Sequence, residues 1–167
     1  MSRIPPLEPP YEPDVDEQLT AMMPAGVPPI ALFRTFATNL PMVRAMRPWG
    51  AYTLGRDFSL SLRDREIVII RTGALTGCEY EWGVHVLTFA AKARLTEEQV
   101  ESLTYGAATD ACWDAERDRL LIRAVDALYA DGDIDDALWA ELAEVFDGRQ
   151  LLDLPLLTGW YHAISFV

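Results

Sequence analysis

The sequence predicts an all-α fold. Apolar residues recur at three- and four-residue spacing along most of the chain, and helix-start signatures precede several of these runs. No Asn-Gly hairpin signal and no regular succession of strand-like runs interrupts them. Residues 1–13 stand apart, because Pro5, Pro6, Pro9, Pro10 and Pro13 are too many for a helix or a central strand. They read as an extended Pro-rich arm, either frayed or laid over a neighbouring subunit, ahead of one helical domain over 14–167.

The helices follow in order. Residues 15–23 form a short one, closed by Pro24. Residues 30–40 and 42–54 make two more, separated by Pro41, with Pro48 expected to kink or split the second. Ser61-Leu-Arg-Asp64 has the capping-box spacing and opens a helix through Ala74, with Gly77 as its stop. The run Ile67-Val-Ile-Ile70 has strand propensity, yet the cap, the length and the lack of alternation favour a buried helix. Residues 78–94 are next. Thr96-Glu-Glu-Gln99 opens a helix that Gly106 ends, and residues 114–129 carry Leu120, Leu121, Ala124, Val125 and Leu128 on one face. Asp131-Gly-Asp133 makes a turn, residues 134–146 form a helix, and an apolar segment closes the chain.

Composition narrows the function classes. The chain has 167 residues, half of them hydrophobic, and a formal net charge of −12. Such a surface repels phosphate backbones and anionic lipid, so nucleic-acid and membrane roles are disfavoured. Residues 110–147 hold 12 acidic residues against 3 arginines, and a solvated helical face accounts for them. No apolar stretch reaches membrane-spanning length, and the N-terminus lacks the apolar core of a signal peptide. Two cysteines, Cys78 and Cys112, make no disulfide framework. The expected location is the cytoplasm.

The informative stretch is Cys78-Glu-Tyr-Glu81-Trp-Gly-Val-His85. On a helix turning about 100° per residue, Cys78, Glu81 and His85 share one stripe, which Trp82 and Phe89 continue as pocket-lining aromatics. The helix start favours a Cys78 thiolate, while Glu79 and Glu81 oppose it. A fourth group is Glu66, placed against the all-apolar run that follows it, where a carboxylate needs a partner. A histidine on a packed neighbouring helix is the natural one; Arg63 or Arg71 is the structural alternative. Taken singly, Cys78 fits a small buried residue, Glu81 a helix cap and His85 a core histidine. Four titratable groups together point to a functional site. Glu81 and His85 supply only two metal ligands, the second histidine is His162, and there is no Gly-rich phosphate loop, so neither metal nor cofactor is expected.

This spacing resembles the carboxymuconolactone decarboxylase family, which includes the alkylhydroperoxidase D-like proteins. That family's peroxidase branch has a glutamate and, twelve residues on, Cys-x-x-Cys-x-x-x-His; Glu66, Cys78 and His85 match it. The flanks Leu62-Arg-Asp-Arg-Glu66, Thr96-Glu-Glu-Gln-Val100 and residues 113–127 also look like the family, and the likeness covers roughly residues 30–165. It implies an alkylhydroperoxidase D-like helical bundle, a small-molecule substrate and a homo-oligomer, dimer to hexamer. The final segment, 151–167, has few charges and offers apolar surface for that assembly. One departure matters: the motif's second cysteine is Glu81 here, which removes the residue that resembles the family's peroxide-attacking thiol. The reading that fits best is decarboxylase-type acid–base chemistry by Glu81, His85 and Glu66 on a small carboxylated or lactone-like substrate. The alternatives are hydroperoxide reduction by Cys78 as a one-cysteine enzyme, and a non-catalytic structural homologue.

Overall fold

The computed structural model describes residues 3–167, and its contacts divide into two units, residues 3–58 with Val167 and residues 59–166. Residues 1 and 2 of the Pro-rich arm lie outside the described residues. All regular structure among the described residues is helical.

The first unit holds α1 (Pro13–Ala21), α2 (Ala31–Phe36) and α3 (Leu40–Leu54). Pro13 opens α1 at a position whose N–H is not needed. The arm before it is tied to α2: the Leu7 amide donates to the Arg34 carbonyl at 3.2 Å, and Arg34 returns a bond to the Leu7 carbonyl at 3.1 Å. Two expectations change here. The break falls at 37–39, not at Pro41, because Asn39 caps α3 through the Met42 amide and Pro41 sits in the tolerant first turn. Pro48 does not split α3, which runs unbroken from Leu40 to Leu54.

The second unit is built around α4 (Leu62–Leu75). It starts on the capping box expected at Ser61, with reciprocal bonds between Ser61 and Asp64 of 3.1 and 3.0 Å. Every residue from Asp64 to Gly73 is buried, so α4 has no solvent face over that length. Around it pack α5 (Glu79–His85), α6 (Glu97–Tyr105), α7 (Glu116–Asp131) and α9 (Gly148–Ile164), while α8 (Asp136–Val145) rests on α7 and α9. Ile67, Val68, Ile69 and Ile70 are 0–1 % exposed, and each such side chain contributes about 1.5–3 kcal/mol by leaving water.

The same helix carries arginines, and Arg63 and Arg71 are each fixed by several acceptors. Arg63 reaches Asp118 at 2.7 Å and the carbonyls of Ala93 and Arg94. Arg71 grips Asp126 through two nitrogens and donates to the carbonyls of Leu103 and Gly106. From the other side Arg117 of α7 holds Asp64 at 2.9 and 3.0 Å, with its guanidinium 4.1 Å over the Phe146 ring. These bonds fix α4 against α7 and against the loops flanking α6.

Two glycines set the approach of α5. Gly77 turns the chain with φ +68°, a left-handed conformation that other residues adopt at a cost. Gly73 lets α5 come close: a Cβ there would stand 3.3 Å from the Trp82 Cβ and 3.4 Å from its backbone. After His85 the expected single helix over 78–94 changes character. A five-residue π-helical turn, Val86–Ala90, leads to a turn in which Arg94 has φ 57°. Such wide turns are found mostly as single inserts in α-helices, often at functional sites.

Replacing Gly73 by valine should lower the unfolding free energy by about 1–3 kcal/mol, because the neighbouring backbone cannot yield as a side chain would. Urea unfolding monitored by circular dichroism measures this; an unchanged midpoint would show that α4 and α5 have room to part.

Candidate active site

Glu66 lies in the middle of α4 and is 0 % exposed. Two donors meet its carboxylate. His85 Nδ1, from α5, lies 2.8 Å from Oε2, and Arg65 Nε donates to Oε1 at 2.9 Å. The partner expected across two packed helices is therefore present. The alternatives Arg63 and Arg71 are committed to Asp118 and Asp126.

An ionised carboxylate only accepts, so His85 Nδ1 carries a hydrogen and its exchangeable position is Nε2. That nitrogen points to the Glu81 carboxylate, whose Oε2 is 3.8 Å away. The gap is too long for a direct hydrogen bond. Glu81 caps nothing: α5 has no side-chain bond at its start, although Glu81 sits in its first turn. Its Oε1 is buried without any hydrogen-bond partner. Burial pushes the Glu81 carboxyl above the ordinary glutamate range, and the nearby imidazole only partly offsets this.

Aromatic rings wall the cluster. Tyr161 of α9 meets the His85 ring edge-on at 5.0 Å, and Phe89 lies tilted at 5.4 Å with the Arg65 guanidinium 5.4 Å over its ring. The Tyr161 hydroxyl is pushed far above its usual range by burial, then by Glu81 and Glu66, with Arg65 opposing. One tyrosine thus senses both carboxylates and the guanidinium.

The four titratable groups are not equally close. Glu66, Glu81 and His85 form one chain of contacts. Cys78 stands at the N-cap of α5, half-buried and free, its amide bonded to the Gly73 carbonyl at 2.9 Å. Among the described residues no hydrogen bond links its thiol to Glu81 or His85. The aromatic stripe divides too. Phe89 stays with His85, whereas Trp82 turns to α6, where its indole N–H donates to Thr104 at 3.1 Å. Trp82, Val86, Ala90, Val100, Thr104 and Tyr105 line a groove of about 460 Å³ on that side. Trp49 and Tyr52 belong to the first unit and pack on each other at 5.5 Å. Among the described residues no group of three or more His, Cys, Asp and Glu is placed to hold a metal ion. Arg65 escaped the sequence reading, although its position beside a carboxylate on an all-buried helix was a usable signal.

The folded protein holds the Glu81 proton more tightly than the unfolded chain does. Stability from this group is complete below the unfolded value, near pH 4.3, and falls as pH rises through the raised folded value. Glu81→Gln lacks this titration. Its melting temperature should therefore gain on that of wild type between about pH 4 and pH 8. Parallel melts across that range check this, and a constant difference would mean that Glu81 ionises as freely as in water.

The family model of the carboxymuconolactone decarboxylase family matches residues 42–126, just over half of the chain, a span that takes in Glu66, Cys78, Glu81 and His85. No curated protein matches. Among solved structures, the chain resembles an uncharacterized peroxidase-related protein from Silicibacter sp. TM1040. The TM-score is 0.77 over 98% of this chain and 87% of that one, at 19% identity, a likeness of fold. Together with the all-helical architecture, the family match decides the identity: the chain belongs to the carboxymuconolactone decarboxylase family.

Proposed function

We propose that the protein is a proton-transfer enzyme of decarboxylase type, acting on a small carboxylated or lactone-like substrate. One observation carries the reading: a buried carboxyl, Glu81, keeps an unpartnered oxygen beside the free nitrogen of an imidazole whose other nitrogen is committed to Glu66. Burying a polar atom without a partner costs about 1–3 kcal/mol, and a bound substrate oxygen or water would remove that cost. Decarboxylation breaks the bond between carbon and the carboxylate; the electron pair passes into an adjacent carbonyl system as an enolate, and carbon dioxide leaves. The Glu81 proton then goes to that carbon. His85 Nε2 takes up a proton from solvent and returns it to Glu81, with Glu66 holding the ring. Tyr161 and Phe89 keep the imidazole among aromatic walls, where such charges act at low dielectric.

The test is carbon dioxide release and uptake of solvent deuterium from a panel of carboxylated lactones and β-keto acids. Wild type should place one deuterium at the carbon that loses its carboxylate. Glu81→Gln and His85→Asn should each lose about 10²–10⁴-fold, while Cys78→Ser stays near wild type. Consumption of hydroperoxide with an external thiol, abolished in Cys78→Ser, would replace this reading by a one-cysteine peroxidase. Inertness in both assays would leave a non-catalytic homologue.

The working form proposed is a homo-oligomer. After Asp153 the last helix carries no acidic residue, lysine or arginine, and Leu152, Leu156 and Phe166 are 62, 46 and 79 % exposed. Exposed apolar faces of this kind are covered in stable assemblies. Light scattering at micromolar concentration should give a multiple of the 18.7 kDa chain mass, reduced in Leu156→Arg. A monomeric wild type would overturn the assembly.

A further inference from the structure

We propose that Arg65 is a positioning residue that fixes the proton count of the site at one, by neutralising Glu66 so that Glu81 and His85 share a single proton. The inference deepens the proton-transfer reading and rests on it for its functional meaning, but its physical content stands on charge and burial alone. Arg65, Glu66, Glu81 and His85 are 8, 0, 5 and 5 % exposed, so their charges have little water to screen them. The guanidinium and the Glu66 carboxylate cancel across a 2.9 Å bond. What remains is a carboxyl and an imidazole. With one proton between them the cluster is neutral, as a carboxylic acid at Glu81 and a neutral ring at His85. With two it carries a buried positive charge, and with none a buried negative one, and either is costly.

Among the described residues, His85 meets Glu66 from α4, Glu81 from its own helix, Tyr161 from α9 and Phe89 from the π-helical turn, and Arg65 lies behind Glu66 and over the Phe89 ring. Tyr161 stays protonated, its hydroxyl being pushed up first by burial and then by both carboxylates. Lys92 lies 5.3 Å over the Phe89 ring. Arg65 is thus the cation bonded to Glu66. For a site that must deliver one proton and take one back, this has a direct consequence. The acid is loaded and the base is empty at the same moment.

The measurement is nuclear magnetic resonance on the full chain, with ¹⁵N read at the imidazoles and ¹³C at the Glu81 carboxyl. Only two histidines are present, and His162, stacked near Tyr129 and Phe166, serves as an internal reference. In wild type near neutral pH, His85 should show one protonated and one bare nitrogen while Glu81 is a carboxylic acid. Arg65→Met leaves a negative charge that a second proton cancels, so His85 should become imidazolium with Glu81 still protonated. Arg65→Lys should restore the wild-type pattern. Glu66→Gln acts oppositely: Glu81 should ionise at a pH lower by about one unit or more than in wild type. That variant decides the matter if Arg65→Met does not fold. A purely structural Arg65 would lower the melting temperature yet leave both protonation states as in wild type. That result, or an imidazolium already present in wild type, overturns the proposal. Since no turnover is needed, an inactive protein with the expected proton count would sink the functional reading alone.

Discussion

A carboxylate removed entirely from water, Glu66, constrains the rest of this fold. Moving such an ion into the interior costs several kcal/mol even after relaxation, and only close, well-aimed donors recover it. Two are supplied, at 2.8 and 2.9 Å, from His85 and Arg65. The His85 contact requires α5 to lie close against α4, and the missing side chain at Gly73 permits that approach. The same contact fixes the imidazole so that Nε2 faces Glu81. Helix packing and the chemistry of the site are therefore set by one ionic requirement.

The other arginines serve a different purpose. Arg63, Arg71 and Arg117 each bind a carboxylate and also backbone carbonyls at helix ends or in loops. A planar fork with five donors suits this work, since it satisfies a charge and several orphaned carbonyls from one side chain. The outcome is a rigid frame in which α4 cannot slide against α7. Rigidity of this kind matters because a displacement of about 1 Å between Glu66 and His85 would break the bond that selects the imidazole tautomer.

Much of this was legible in the sequence, and particular residues show why. The capping boxes at Ser61 and Thr96 marked their helices because each rests on local bonds. The apolar run Ile67 to Ile70 announced a helix with no solvent face, and Glu66 beside it announced a need for partners. Tertiary effects were harder to read. Pro41 reads as a break in sequence, but in the first helical turn a missing N–H is harmless. Pro48 was expected to disrupt α3, which passes through it. The π-helical turn after His85 has no simple sequence signature. The expected aromatic stripe also divides, with Trp82 facing α6 and Phe89 staying on the imidazole. Arg65 was overlooked because pairing rules look three or four residues away, whereas here adjacent residues on a fully buried helix bond to each other.

The replacement of a thiol position by Glu81 has consequences that follow from geometry. A cysteine there would present one polarisable atom close to the helix; a glutamate reaches further and brings its Oε2 to 3.8 Å from the imidazole nitrogen. The imidazole is then paired with an acid whose proton is retained by burial. Cys78, one turn earlier, makes no hydrogen bond to that ring among the described residues. A thiolate at Cys78 would also need to form without a bonded cation and within one helical turn of two glutamates, Glu79 and Glu81. The carboxyl that stands where the family's peroxidase branch has its second cysteine is the same group that burial holds above the ordinary glutamate range beside the imidazole.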